Sequence, residues 1–262
     1  MNKSVPLTQL SEVVSLEEVM PGVFLMWLLA PGIAGAAKPG QFAMLRCGSH
    51  NFLRRPLSIH RVSGDRQKLA FLFAAVGKGT RWLSGVTPGQ ELDLVGPLGQ
   101  GFEIDVDASQ LLLVAGGLGV APLGFLADEA RAQGKNVNLL LGAATASALC
   151  PAELLPGVDS CRSATDDGTY GRRGLVTHLL AESLPGTQQI FACGPLPMLR
   201  ALAADPALRQ HRAQVSLEIR MACGLGVCYG CTVNTVHGLR QVCKHGPVFE
   251  MADVLWDELR DI

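Results

Sequence analysis

The sequence is short of charge. Only 17% of its 262 residues are Asp, Glu, Lys or Arg, and they cancel to a formal net charge of −1. Without a basic field, nucleic acid is not an expected partner. A long apolar run is missing too. No charge stands between Glu18 and Lys38, but Pro21-Gly22 and Pro31-Gly32 cut that stretch. What remains, Val23–Ala30, has a strand's length against the roughly 20 residues of a membrane-spanning helix. The opening MNKSVPLTQLSE is mostly polar and lacks the apolar core of a secretory signal. A soluble, cytoplasmic protein is therefore expected, one whose thiols stay reduced. Internal repeats and low-complexity tracts are also missing, and 48% hydrophobic content excludes a disordered or fibrous chain.

What is present is a chain long enough for two or three compact parts, with three textures along it. Up to about residue 105, short apolar runs alternate with Pro/Gly turns: VFLMWLLA, PGQFAMLRC, RPLSIHRV, KLAFLFAAV and GQELDLVGPLG. Short strands at this spacing predict an antiparallel β-barrel or sandwich over 1–105. Over 106–215 the texture turns α/β. LLLVA at 111–115 meets the glycine turn GGLGVAP, then the helical PLGFLADEARAQG, ending at Gly134. NVNLLLGAA and QQIFACG supply two more buried strands, with LVTHLLAES a helix between them. This alternation predicts a doubly wound parallel sheet. A third part, 216–262, carries a cysteine cluster and closes with the amphipathic segment DVLWDELRDI, expected as a helix.

Cys223, Cys228, Cys231 and Cys243 are spaced C-x4-C-x2-C-x11-C. The first three fit the plant-type [2Fe–2S] pattern. Structural zinc sites more often show two C-x2-C pairs, and only one is present here. Gly224, Gly226 and Gly230 let the backbone close around an anionic cluster and point N–H groups at it. The spacing favours iron–sulfur and leaves zinc as the alternative. Cys47, Cys150 and Cys161 have no ligand partners in sequence and are expected as small buried hydrophobes. His237 and His245 flank Cys243, with surface or supporting roles expected.

LRRPLSIHRV contains Arg55-Pro56-Leu57-Ser58. It resembles the R-x-[YPL]-[ST] strand of the ferredoxin reductase superfamily, where an arginine fork can grip a pyrophosphate and a nearby hydroxyl can reach the flavin edge. Downstream, Gly77-Lys78-Gly79-Thr80 opens a helix. The turn suits a phosphate. A plain helix start with Thr80 as the N-cap is the alternative; the two roles are compatible, and Arg55 and Ser58, taken with the turn, favour the phosphate. Gly116-Gly117-Leu118-Gly119 follows a strand directly, with Pro122 where G-x-G-x-x-G would have its last glycine. This resembles the G-G-x-G-x-[AT]-P turn of reductase nucleotide domains, and Cys193-Gly194-Pro195 resembles their nicotinamide-facing C-G-P turn. The strand ending Gly142-Ala143-Ala144 brings no arginine for a 2′-phosphate, which favours NAD over NADP. Asp166 and Asp167 suit either a ribose or partner contact or an Asp-Gly turn.

In this order, with ATDDG, CGPLPML and SLEIRMACGLGVCYGC…VCKHGPVF, the motifs resemble the electron-transfer subunits of class 1B dihydroorotate dehydrogenases over about residues 10–250. The resemblance implies FAD on Arg55, Pro56, Leu57 and Ser58, on Leu72, Phe73 and Ala74, and on Gly79 and Thr80. It implies NAD at Gly116, Gly117, Gly119, Cys193, Gly194 and Pro195, and a [2Fe–2S] cluster on Cys223, Cys228, Cys231 and Cys243. Its partner would be an FMN-containing catalytic subunit that oxidises dihydroorotate in pyrimidine biosynthesis, in a heterotetramer of two plus two. Two departures stand out: the missing arginine near Gly142, and His245 where relatives carry an acid. No base-plus-pocket constellation for substrate oxidation accompanies the motifs, as suits an electron relay with no catalytic residues of its own. The alternatives are a reductase subunit of another flavin and iron–sulfur complex (ferredoxin-NADP reductase, sulfide dehydrogenase or hydrogenase gamma type) and, from a different class, a zinc-stabilised interaction protein.

Overall fold

A computed structural model describes residues 6–49, 51–155 and 157–259. Six antiparallel strands form the first part: β1 (Leu7–Met20), β2 (Val23–Leu29), β3 (Phe42–Leu45), β4 (Arg55–Val62), β5 (Lys68–Ala74) and β6 (Glu91–Leu98). They close a barrel in the order β1-β2-β5-β4-β3-β6. Helix α1 (Pro31–Ala36) links β2 to β3, and α2 (Lys78–Leu83) links β5 to β6. Strand alternation explains why β5 is apolar throughout. Leu69, Phe71 and Phe73 fill the barrel interior with Met26, Ile59 and Leu94. Ala70 and Leu72 point outward, yet they are buried in a second core with Leu111, Leu113 and Leu123.

Those partners belong to the second part. Its strands are β7 (Gln110–Gly116), β8 (Asn136–Ala143), β9 (Ser160–Thr165), β10 (Arg172–Arg173), β11 (Gln189–Cys193) and β12 (Arg212–Ser216). A hairpin of β13 (Thr232–Thr235) and β14 (Gly238–Gln241) stands apart, and β15 (Val248–Glu250) returns to the sheet. The sheet order is β10-β9-β8-β7-β11-β12-β15. Its strands are parallel except for β15, which pairs antiparallel with β12. Helix α3 (Ala121–Ala132) covers one face, burying Leu123, Leu126 and Ala130 against Leu111, Leu113 and Leu139. Helices α4 (Leu180–Ser183) and α5 (Leu196–Ala204) cover the other, setting Leu180, Leu199 and Leu202 against Leu112, Val114 and Ile190. The doubly wound reading of LLLVA therefore holds: both of its faces are buried. Helix α3 stops as expected, with Gly134 at φ +74 and the N–H groups of Gly134 and Lys135 returning to Arg131 and Ala130.

Two expected helices differ. LVTHLLAES is a 3₁₀ turn, Val176–Leu179, running into the four-residue α4. Val176 and Thr177 at its start are β-branched and poor helix formers. The closing segment consists of 3₁₀ turns, Met251–Asp253 and Trp256–Glu258, and its last three residues lie outside those described. Tertiary hydrogen bonds claim the backbone there: Trp256 Nε1 donates to the Met251 carbonyl, and Arg200 donates to that of Trp256. Among the described residues, no helix is long and apolar enough to cross a membrane.

Candidate cofactor sites

β4, β5 and α2 bring the flavin motifs to one place. Pro56, Leu57 and Ser58 of β4, Leu72, Phe73 and Ala74 of β5, and Thr80 of α2 line a single cleft of about 870 Å³. Arg55 and Gly79 stand beside it in contact. A Cβ at position 79 would lie 2.6 Å from Arg55 Nε, so only glycine lets the arginine stem lie across the helix start. The guanidinium is steadied from behind, donating to the carbonyl of Leu53 at 2.6 Å. The N-cap of α2 is Gly77, and this corrects the capping role expected for Thr80. Thr80 sits at N3, where its hydroxyl accepts from the Gly77 N–H at 3.0 Å.

The opposite wall was not foreseen. Leu118 and Ala121 come from the glycine turn and the start of α3, and Ser216, Leu217, Glu218, Ile219 and Met221 come from the end of β12 and the segment after it. Cleft and glycine turn are therefore joined by Leu118. Between β7 and β11 the strand order reverses, which is where an α/β sheet opens a crevice for a ligand. The two expected nucleotide turns meet there. A Cβ on Gly119 would lie 2.2 Å from the Cys193 carbonyl oxygen, and one on Gly116 would lie 2.7 Å from Pro195 Cδ. Gly117 stands at φ +53 in the same turn. Side chains on these glycines would force the turns apart.

Cys193 is fully buried, and its Sγ lies 3.8 Å from Glu218 Oε1. Burial raises the Cys193 thiol well above its ordinary value, and the neighbouring carboxylate adds to the effect. Glu218 lines the cleft with its side chain exposed, and the protein atoms around its carboxyl raise it above its ordinary value. Sequence reading missed Glu218 as a site residue, although it stands in the SLE-x-R-M block. Asp167 accepts from both the N–H and the hydroxyl of Thr169, the Asp-turn role, and Asp166 and Asp167 are both exposed beyond β9.

The cysteine loop is built around its own N–H groups. Gly224, Tyr229 and Gly226 adopt positive φ (+70, +59 and +76), a winding that turns successive amides inward. Gly226 N–H donates to Cys243 Sγ at 3.1 Å, Leu225 N–H to Cys223 Sγ at 3.4 Å, and Cys243 N–H to Cys231 Sγ at 3.4 Å. Burial alone would raise the Cys223 thiol. The amides of Leu225, Cys228 and Val227 outweigh it and bring the thiol down to about 6, a thiolate at neutral pH. Cys243 is pushed up to about 12 by burial and then by Cys231. No three His, Cys, Asp or Glu side chains among the described residues are grouped tightly enough for a single metal ion. The thiols contact each other in two pairs, Cys223 with Cys228 and Cys231 with Cys243, with backbone amides donating to Cys223, Cys231 and Cys243, and that donor set fits a binuclear anionic cluster. The loop abuts the flavin cleft: Met221 lines the cleft two residues before Cys223, and Met44 of β3 packs on Gly224.

The other cysteines divide. Cys47 and Cys150 are buried, as expected of small hydrophobes, but Cys161 is exposed because it lies on β9 near the sheet edge. His237 faces Asp253 at 3.4 Å, and His245 Nδ1 accepts from the Gln241 N–H.

A barrel joined to a doubly wound sheet, with a cleft between them and a cysteine loop at its rim, defines a ferredoxin-reductase-like flavin and iron–sulfur protein. The comparisons with known proteins make the class specific. Residues 218–255 match the family model described as the iron–sulfur cluster binding domain of dihydroorotate dehydrogenase B. A relative from Desulforamulus reducens, "Dihydroorotate dehydrogenase B (NAD(+)), electron transfer subunit", is 38% identical over 94% of this chain and 98% of its own length. One from Shouchella clausii with the same name is 35% identical over 84% and 87%. The chain belongs to the family of dihydroorotate dehydrogenase B electron transfer subunits. Among solved structures, a chain of the NADH-dependent reduced ferredoxin-NADP oxidoreductase superposes with a TM-score of 0.86 at 29% identity, covering 96% of this chain and 91% of that one. A ferredoxin NADP+ reductase from Neisseria gonorrhoeae, solved with FAD and NADP, shares the fold at a TM-score of 0.61 and 17% identity.

Proposed function

We propose that this chain is the electron-transfer subunit of an NAD-linked dihydroorotate dehydrogenase. Its partner would be an FMN-containing catalytic subunit in a cytoplasmic assembly of two plus two. The observation that carries this reading is contiguity: cleft, switch-point turns and cysteine loop share walls, so no long gap separates the three candidate sites. When bound, FAD and a [2Fe–2S] cluster would supply the exchange between one-electron and hydride chemistry.

The residues divide the work. Arg55, steadied by Leu53 and crossing Gly79, offers its remaining N–H groups to a pyrophosphate, while Pro56–Ser58 and Leu72–Ala74 exclude water from a ring lying in the cleft. Cys223, Cys228, Cys231 and Cys243 would hold iron, with the amides of Leu225 and Gly226 neutralising sulfur charge. Gly116 and Gly119 let the glycine turn pack directly on Cys193, Gly194 and Pro195, and Gly117, with open space at its Cβ position, would leave room for a dinucleotide backbone. Glu218 accepts from the Cys193 thiol at Oε1 and, its carboxyl raised, can hold a proton at its other oxygen beside the flavin cleft. Oxidising dihydroorotate releases two electrons and two protons. NAD+ takes both electrons and one proton, and the second proton leaves to solvent.

The test is co-purification with the catalytic subunit, followed by dihydroorotate-dependent NAD+ reduction at 340 nm. The expected result is a yellow-brown complex that reduces NAD+ only when both subunits are present. A colourless chain carrying stoichiometric zinc after anaerobic purification would overturn the reading. A second reading rests on the 29% identity to the NADH-dependent ferredoxin-NADP oxidoreductase chain. It predicts reduction of ferredoxin, but not of NAD+ by dihydroorotate, in the same assay.

A further inference from the structure

His60 is a buried histidine with no part in any motif. It sits on β4 two residues beyond Ser58 and is completely shielded from solvent. Ile59 points into the barrel and Ser58 lines the cleft, while a bulge in the pairing with β5 between Ile59 and Arg61 lets His60 and Arg61 both face α3. Nδ1 lies 2.9 Å from the carbonyl oxygen of Ala121. A carbonyl can only accept, so Nδ1 carries the proton and Nε2 is left with a lone pair. That Nε2 is buried and has no hydrogen-bond partner. A leucine would fill the space without an orphaned nitrogen, so packing alone gives no reason for an imidazole.

The partner explains it. Ala121 is the first residue of α3, follows the turn Gly117–Val120 directly, and lines the flavin cleft. The helix is hollowed to receive the ring: a Cβ at Gly124 would lie 2.6 Å from His60 Cε1. One turn further on, Arg61 pairs with Asp128 at 2.7 Å. Ala121, Gly124 and Asp128 are spaced three and four apart, one stripe of α3 laid along β4. The charged groups nearest the ring are Arg61 and Asp128, and the backbone of Leu154 faces it from the β8–β9 connection. Burial keeps the ring neutral, with its pKa lowered to about 4.

We propose that His60 is a positioning residue: its Nδ1–H bond to Ala121 ties the flavin strand to the nucleotide turn and fixes the gap across which hydride passes. The proposal rests on the flavin-and-nicotinamide reading above. Misplacement of reacting groups by about an ångström costs up to about a hundredfold in rate. Loss of this bond is therefore expected to slow hydride transfer while leaving both cofactors bound.

The test uses the FAD- and cluster-loaded chain mixed anaerobically with NADH. Flavin bleaching at 450 nm gives the transfer rate, and the long-wavelength absorption of a stacked flavin–nicotinamide pair gives the geometry without turnover. His60→Leu should slow bleaching roughly tenfold or more and weaken the long-wavelength band. His60→Asn, whose amide can donate from the Nδ1 position, should restore most of both. Gly124→Ala keeps every hydrogen-bonding group but pushes on the ring, and it should shift both readouts in the same direction as His60→Leu. It decides the matter if the leucine variant does not fold. Wild-type rate and band in His60→Leu, or in Gly124→Ala where the leucine variant cannot be made, would overturn the positioning role. A wild-type chain whose flavin NADH does not bleach would instead overturn the underlying functional reading.

Discussion

Arg55 and Gly79 show how much a single side chain depends on what its neighbour lacks. The arginine is expected from the sequence as the fork of a flavin strand. Its dependence on Gly79 is not, because the two are 24 positions apart and meet only when α2 folds back on β4. Glu218 was missed for a similar reason, since its neighbour Cys193 arrives from β11. The four cysteines stand out in the sequence as candidate ligands because their spacing is local. Separate sites give separable losses. Cys228→Ser should remove iron and acid-labile sulfide and leave FAD bound, whereas Arg55→Ala should lose FAD on gel filtration and keep its cluster. Iron, sulfide and flavin assays on both variants check this, and a full cluster in the Cys228 variant would refute its role as a ligand.

At the scale of elements, uniformly apolar strands were readable and polar ones were not. KLAFLFA and LLLVA are buried on both faces, so each announces itself as an unbroken run. β1, LTQLSEVVSLEEVM, is fourteen residues long and pairs with both β2 and β6, yet it went unread. Glu12, Glu17 and Glu18 are exposed along it, and its burial in the first half centres on Ser11 and Val13. Backbone pairing on both edges, which no side-chain pattern reports, is what makes it a strand. The return of β15 to the sheet was equally hidden, three residues being too short for a periodic signal. The two nucleotide turns were found separately, and their meeting follows from the β7–β11 pairing. That contact is testable. Gly119→Ala would place a methyl 2.2 Å from the Cys193 carbonyl, so the turns must separate. NADH affinity should fall by about tenfold or more, roughly 1.4 kcal/mol, with FAD and iron content unchanged. Titration calorimetry measures this directly.

In the whole molecule, barrel and sheet are joined by a linker that buried amides hold in place. Gln189, fully buried on β11, accepts from the Asp105 N–H and donates to the Glu103 carbonyl, each at 2.8 Å. Gln214 on β12 accepts from the Glu103 N–H at 2.9 Å and donates to Glu250 on β15 at 2.8 Å. The segment from 103 to 105, exposed at Glu103 and half-buried at Ile104 and Asp105, therefore finds its backbone partners in two side chains of the sheet. A relay between sites on different parts needs such a fixed joint, because electron and hydride transfer both weaken as the gap widens. The clamp was illegible in sequence, since a glutamine in a strand reads as surface polarity until its partners are known. Gln189→Leu keeps the volume and strands both linker groups, each costing about 1–3 kcal/mol when buried without a partner. The urea midpoint should drop accordingly. Proteolysis should also begin near residues 103–105, a cut that a loss of core packing elsewhere would not produce. Gln189→Glu, buried against the Glu103 carbonyl, can donate only while protonated, so its urea midpoint should fall further as pH rises.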